Sequence, residues 1–256
     1  MSLNTDKTNC MLISSAAKSR NTNDEFLITL NGSSVKQISK NKVLGVFIDS
    51  NLTWDKHVNF ISNKIIYRLR MINRINEYLG VKHRLLLYNA LIKPYFLYCS
   101  SVWANCSISN LNKLFLLQKR AGRIILDKRR DTSTYDIFKQ LKWIPIIEEI
   151  RINRLANVYK AINNLTPDFI TNSFNSFKSK HKYNTRNSTN NNFILPRAKS
   201  DAMKKTFKFS GAKDFNCADN SFKQCKSIKE FKKKLYHHKF LTKRLFKLVD
   251  YINLSK

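Results

Sequence analysis

Carboxylates are scarce in this chain: 17 Asp and Glu stand against 47 Lys and Arg over 256 residues, a formal net charge of +30. A two-metal phosphoryl-transfer centre needs carboxylate oxygens converging on paired ions, and the sparse Asp6, Asp24 and Glu25 offer no obvious such arrangement. Glycine is nearly as rare, at five residues, and no glycine-rich loop is present to cradle a phosphate. The cysteines Cys10, Cys99, Cys106, Cys217 and Cys225 are odd in number and scattered. That pattern suits free thiols in a reducing compartment rather than a disulfide framework, and the expected location is nucleus or cytoplasm. No basic stretch followed by an apolar one opens the chain, so no secretory signal is expected.

What the chain has is positive charge on a substantial apolar framework. Hydrophobic residues make up 43% and aromatic residues 12%, enough for a real core and too much for a disordered basic tail. Residues 1–50 hold six basic and four acidic groups, residues 51–165 hold 20 and seven, and residues 166–256 hold 21 and six. A field of this size recruits polyanions, and its source lies downstream of residue 50.

Residues 1–50 alternate and turn as β-structure does. Short apolar runs at 10–14, 26–30, 35–39 and 43–49 predict strands, and Asn31-Gly32 between two of them predicts a hairpin, because both residues tolerate positive φ. From Trp54 the period becomes helical. Val58, Ile61, Ile65, Leu69, Ile72, Ile75 and Leu79 share one face, Gly80 offers a C-terminal stop, and Lys56, Arg70 and Arg74 lie opposite. Residues 85–103 are apolar nearly all round. Lys93 at the middle of a span would cost about 3 kcal/mol, so a buried helix bent at Pro94 is expected instead of a membrane span. Helices at 109–126, 134–141 and 145–162 follow, the last with Pro145 in its first turn. The expected fold is α+β and mostly α: a β-rich segment over 1–50, a helical domain over 51–165, a loosely ordered linker over 166–227, and a basic amphipathic helix over 228–250.

The segment at 117–126 joins a core face to fixed charge. Leu111, Leu114, Gln118, Ala121 and Ile125 recur at intervals of three and four, while Lys119, Arg120 and Arg123 leave on other sides, with Arg129 and Arg130 just beyond. A phosphate backbone is the natural counterpart, and a plain solvated helix surface is the alternative.

The order of short motifs adds a resemblance. Asn4-x-x-Lys7-Thr8, Val43-Leu44-Gly45-Val46-x-x-Asp49, Leu52-x-Trp54, His57, Tyr88, Pro94, Tyr98, Trp103, the run from Leu117 to Ile125, Leu141-x-Trp143-x-Pro145, Tyr159-Lys160-Ala161 and Pro167 together resemble the end of a non-LTR (LINE-type, jockey-like) retrotransposon reverse transcriptase. Tyr183-Asn184-Thr185-Arg186 and residues 211–216 extend it loosely. Where such relatives tend to have Trp-Asn-x-Leu-Pro, this chain has Phe215-Asn216-Cys217-Ala218-Asp219.

The resemblance implies the last palm segments, the thumb and the C-terminal extension of a longer polyprotein, either a truncated copy or a fragmentary gene model, with the preceding endonuclease and the catalytic Asp-Asp motif absent. It implies RNA and DNA, as a template–primer duplex, as partners. It implies Mg²⁺ only for the complete polymerase, with no cofactor held by this chain and no activity of its own. Lys7 matches the palm lysine proposed to protonate departing pyrophosphate, an exposed structural lysine being the alternative. Leu44-Gly45 matches the turn that grips the primer end, with a β-bulge glycine as the alternative. Lys56, Arg70, Arg74, Lys119, Arg120, Arg123, Arg129 and Arg130 are the nucleic-acid-binding candidates.

No metal site is expected. Cys217, Cys225, His237 and His238 lack the tight cysteine spacing of a zinc knuckle, and His238 falls on an apolar helix face. Trp54, Trp103 and Trp143 sit among aliphatic residues and are expected to anchor the core rather than stack on bases. Two rival functions remain: a domesticated basic helical nucleic-acid-binding module, and a basic interaction protein for anionic membranes using the helix at 228–250.

Overall fold

The computed structural model describes residues 8–15, 28–30, 32–177 and 190–240, the last three by backbone alone. The chain is mostly helical, and among the described residues the strands lie in its N-terminal part. It divides into two compact units, residues 1–60 and 61–256. The division falls inside the first long helix.

Among the described residues the first unit holds five short strands: β1 (Asn9–Cys10), β2 (Ile28–Leu30), β3 (Ser33–Gln37), β4 (Lys40–Val43) and β5 (Val46–Asp49). β2 and β3 form an antiparallel hairpin in register Leu30↔Ser33, with Gly32 at φ +79 supplying the expected turn. β1 joins the other side of β3 in a two-residue parallel pairing. Residues 43–49, expected as one strand, are instead split. β4 and β5 fold back on each other around Leu44-Gly45, with Val43 opposite Val46. Both turn residues have positive φ, 48° and 87°, the twist a two-residue hairpin loop needs. Gly45 is therefore a turn residue rather than a bulge.

Asp49 ends β5 and starts the next element. Its carboxylate accepts from the backbone N–H and hydroxyl of Thr53 and from the N–H of Trp54, at 2.8, 2.9 and 2.9 Å. Burial pushes this carboxyl up, but those bonds hold it below the ordinary carboxylate range. The turn it stabilises carries Leu52 and Trp54 at φ 51° and 66°.

Helix α1 (Asp55–Arg74) follows. Val58, Ile61, Ile65, Leu69 and Ile72 are buried, as the period predicts. The stripe stops there: α1 ends at Arg74, Ile75 is exposed, and a 3₁₀ turn spans Asn76–Tyr78. Gly80, read as a C-terminal stop, is the N-cap of α2 (Val81–Leu91), with an ordinary φ of −67°.

The expected bent helix at 85–103 is three helices: α2, α3 (Lys93–Leu97) and α4 (Ser100–Trp103). Pro94 lies in the first turn of α3, where its missing N–H costs nothing, so the helix restarts instead of bending. Cys99, at φ 49°, makes the second break. Among the described residues, no helix is long and apolar enough to cross a membrane.

Helices α5 (Ile108–Leu126), α6 (Thr134–Leu141) and α7 (Ile146–Ile162) agree closely with the expected bounds. Pro145 is the N-cap of α7, one residue before the helix proper. α7 is the central element of the second unit, packed against α3, α4 and α5 and against two later helices, α10 (Phe207–Asn216) and α12 (Ile228–Phe240). Between them run the short helices α8 (Asp168–Thr171), α9 (Asp201–Lys204) and α11 (Asn220–Lys223).

The described part of 166–227 contributes to the core rather than forming a loose linker. Phe193, Ala212, Phe215, Phe222 and Cys225 are buried with Ile152, Leu155, Val158 and Tyr159 of α7 and Phe231 and Leu235 of α12. Asn216 fastens it, its amide accepting from the Phe193 N–H at 2.8 Å and donating to the Phe193 carbonyl at 2.9 Å. Tyr183–Arg186, Leu241, Leu245 and Leu248, like the side chain of His238, lie outside the described residues.

Candidate nucleic-acid interface

Helix α5 is amphipathic because Leu114, Leu117, Ala121 and Ile125 bury one side of it, with Leu111 half-buried. Ser107 caps its start, the hydroxyl accepting from the Asn110 N–H at 3.3 Å. Two features allow the polar Gln118 to sit in the apolar stripe. Its Nε2 donates to the Ile144 carbonyl at 3.0 Å, and its Oε1 accepts from the Ile146 N–H at 2.7 Å. These are the backbone groups on either side of Pro145, which has no N–H of its own. Gly122 gives α6 close approach: a Cβ there would stand 2.6 Å from Ile137 Cγ2.

The opposite side of α5 carries the charge. Arg120 is exposed, while Lys119 and Arg123 are half-buried. Lys119 Nζ lies 4.6 Å from the centre of the Phe115 ring, an attraction that also draws the ammonium toward the helix. Burial first, and then the Arg123 charge, lower the Lys119 pKa. The Arg123 Nε is buried with no hydrogen-bond partner among the described residues. Lys119 and Arg123 are one helical turn apart, a like-charge spacing that costs a few tenths of a kcal/mol unless an anion comes between.

The C-terminus of α5 is finished by cations and a left-handed cap. Asp127 takes φ 52°, and its N–H reaches the carbonyls of Arg123 and Ile124. Arg84, which the sequence reading passed over, donates from Nη1 to the Ile124 and Ile125 carbonyls at 3.2 and 2.9 Å and from Nε to the Leu79 carbonyl at 2.7 Å. A guanidinium at a helix C-terminus is favourable to the helix dipole. Arg129 and Arg130 are exposed just beyond.

Several carboxylates of the second unit pair with cations elsewhere. Glu149 holds Lys93 at 2.5 Å and accepts from the Tyr236 hydroxyl at 3.1 Å. Asp214 bridges Arg151 and Arg154 at 3.1 and 3.0 Å, and Asp201 and Glu230 pair with Lys204 and Lys234. Among the described residues, none of Arg70, Arg74, Lys119, Arg120, Arg123, Arg129 and Arg130 is ion-paired to a carboxylate. The nearby Asp127 accepts from Asn76 Nδ2 at 3.3 Å, which ties the chain after α1 to the end of α5. Arg70 and Arg74 are exposed on α1.

The remaining candidates fall in the first unit. Leu44 is 85% exposed at the hairpin tip. Lys56, read with Arg70 and Arg74 as one basic stripe, has its Nζ 4.9 Å from the Phe47 ring centre, where Lys42 joins it at 5.5 Å. Lys7 lies outside the described residues. Trp54 and Trp103 are buried, and Trp143 stacks on Tyr88 with centroids 4.3 Å apart. No group of three His, Cys, Asp or Glu among the described residues is placed to hold a metal ion; Cys217 is exposed and Cys225 buried.

No protein-family model matches the chain, and no solved structure does. Curated relatives do. The chain is 27% identical over 127 residues to an RNA-directed DNA polymerase from mobile element jockey of Drosophila funebris, a match covering 48% of this chain and 14% of that protein. It is 29% identical over 104 residues to a probable RNA-directed DNA polymerase from transposon BS of Drosophila melanogaster, covering 39% and 11%. The jockey polymerase of Drosophila melanogaster is 24% identical over 144 residues, covering 55% and 16%. Each match spans only a small part of the relative's length. The resemblance carried by the motifs is thereby matched over 39–55% of the chain: this part is similar to one portion of the RNA-directed DNA polymerases of jockey-type mobile elements.

Proposed function

We propose that this chain is a nucleic-acid-binding portion of a LINE-like RNA-directed DNA polymerase, corresponding to its thumb and C-terminal extension, and that it grips the backbone of a template–primer duplex through α5. The observation that carries this reading is the half-buried pair Lys119 and Arg123, with Arg120 beside it and no carboxylate bonded to any of the three. A phosphate oxygen supplies what the site lacks: a negative charge between two positive ones. Arg129 and Arg130 extend the same surface along the backbone. With no adjacent aspartates in the sequence, the chain brings grip rather than polymerisation chemistry.

Binding of a blunt RNA–DNA hybrid should be indifferent to sequence and steeply weakened by salt, with a log–log slope of about −0.9 for each phosphate neutralised. Replacing Lys119, Arg120 and Arg123 together by Gln keeps the buried side of α5 and should reduce that slope by roughly two to three. A triple variant with the parental circular dichroism, affinity and slope would refute the assignment.

A further inference from the structure

Helix α1 buries its apolar quota on one side, yet its outward side is not simply polar. Tyr67 and Met71 lie one turn apart on that side, and Tyr78 follows in the 3₁₀ turn; Tyr67 is 63% and Tyr78 85% exposed. At 100° per residue Arg74 falls within about 20° of Tyr67, two turns further on, and Arg70 lies about 60° to the side. Both arginines are exposed. From residue 63 to 74 the strip holds no carboxylate, and Glu77 stands only at its end.

We propose that this strip binds single-stranded nucleic acid, the tyrosine rings stacking on unpaired bases and Arg70 and Arg74 holding the phosphates between them. The proposal rests on the nucleic-acid reading above and adds a second surface with a different form of the ligand. In a duplex, base faces are already covered by their neighbours, so exposed rings gain nothing there. Unpaired bases offer a free face to each ring, and the flanking cations match the backbone. The α5 cluster shows the converse composition, with charge and no exposed ring among Lys119, Arg120 and Arg123. The Asn76–Asp127 hydrogen bond joins the end of the strip to the end of α5. A strand leaving a duplex held at α5 therefore meets the rings next, and the two surfaces together fit a junction between paired and unpaired nucleic acid.

The test compares a blunt RNA–DNA hybrid with the same hybrid bearing an unpaired extension, by fluorescence anisotropy on the full chain. The wild type should bind the extended hybrid more tightly. Tyr67→Ala/Tyr78→Ala should remove that advantage, about 5- to 150-fold for each stacked ring, and leave blunt-hybrid affinity unchanged. Tyr67→Phe/Tyr78→Phe should restore it, because stacking needs the ring and not the hydroxyl. Both tyrosines are exposed, so each variant should fold, and a melting curve checks that it does. As a second readout, Tyr78→Trp emission should be quenched by the extended hybrid and not by the blunt one. An advantage that survives the double Ala variant, or a wild type with none, overturns this inference while duplex binding through α5 stands. Equal loss on both ligands overturns it too, and a wild type that binds neither overturns both readings.

Discussion

Replacing Gln118 by Leu tests whether α5 and the turn before α7 are locked by one amide. The side chain is almost wholly buried and satisfies the Ile144 carbonyl and the Ile146 N–H at 3.0 and 2.7 Å. Leucine keeps the shape roughly and adds apolar surface, but it leaves both backbone groups buried and unmet. Each orphaned group costs about 1–3 kcal/mol, against a gain of about 1 kcal/mol for the more apolar side chain. The net loss is about 1–5 kcal/mol, a large share of the 5–15 kcal/mol that holds a typical protein together. In a chain of this size it should lower the melting temperature by roughly 2–20 °C. Urea titration followed by far-UV circular dichroism gives the free energy directly. Gln118→Glu sharpens the result: the acceptor oxygen remains, but the donor becomes a second acceptor facing the Ile144 carbonyl. That variant should be severely destabilised at neutral pH and partly recovered at pH 5, where a buried carboxyl regains a proton. A Leu variant within 0.5 kcal/mol of wild type would show that the turn holds itself, and the reasoning would fail.

Two further expectations concern the fold. Burial pulls the His57 imidazole down to about 4, and its Nδ1 accepts from the Phe47 N–H at 3.4 Å, so the folded state favours neutral histidine. The unfolded chain takes up that proton near pH 6.5; stability is therefore complete above about 6.5 and declines as pH falls toward 4. Urea midpoints at pH 7.5 and 5.0 should show the decline, and His57→Gln should flatten it; identical profiles for the two proteins would argue against the assignment. Gly122→Ala gains about 1 kcal/mol of helix propensity but drives a methyl to 2.6 Å from Ile137 Cγ2, on a branched side chain with little room to turn. Overpacking of this kind costs about 1–3 kcal/mol. A net loss near 1 kcal/mol is expected in the same urea assay, and a stabilised variant would mean that α6 yields freely.

Periodicity was most legible where a helix has two unlike faces. The buried stripe of α1 from Val58 to Ile72, and the bounds of α5, α6 and α7, follow from it. Residues 85–103 carry no such contrast, being apolar on almost every side; Pro94 marked the Ile92 break only as a bend, and the break at Cys99 left no mark in the pattern. Leu44 hid the β4–β5 turn because leucine seldom accepts positive φ, and only the Gly45 beside it hinted at reversal. The candidate site was legible as charge, since Lys119, Arg120 and Arg123 leave the core face of α5 by spacing alone. Their depth was not: the Phe115 contact and the buried Arg123 Nε arise from packing. Arg84 reaches carbonyls 40 residues away, and Gln118 spans 26. Spacing within one helix is silent about both. The aromatic residues of 190–227 recur at no regular interval, which is why their part in the core was missed.

The Lys119–Arg123 pair makes the chain's stability a property of its surroundings as well as of its sequence. Two half-buried like charges raise the energy of the native state until an anion settles between them, and unfolding releases that strain. Any polyanion that binds there is thus a structural component, worth about 2.7 kcal/mol when present at a hundred times its dissociation constant. If the pair holds nucleic acid as proposed, protein freed of it during purification and protein still carrying it should melt at different temperatures, and removing the carried strand should leave a softer molecule with an unchanged sequence.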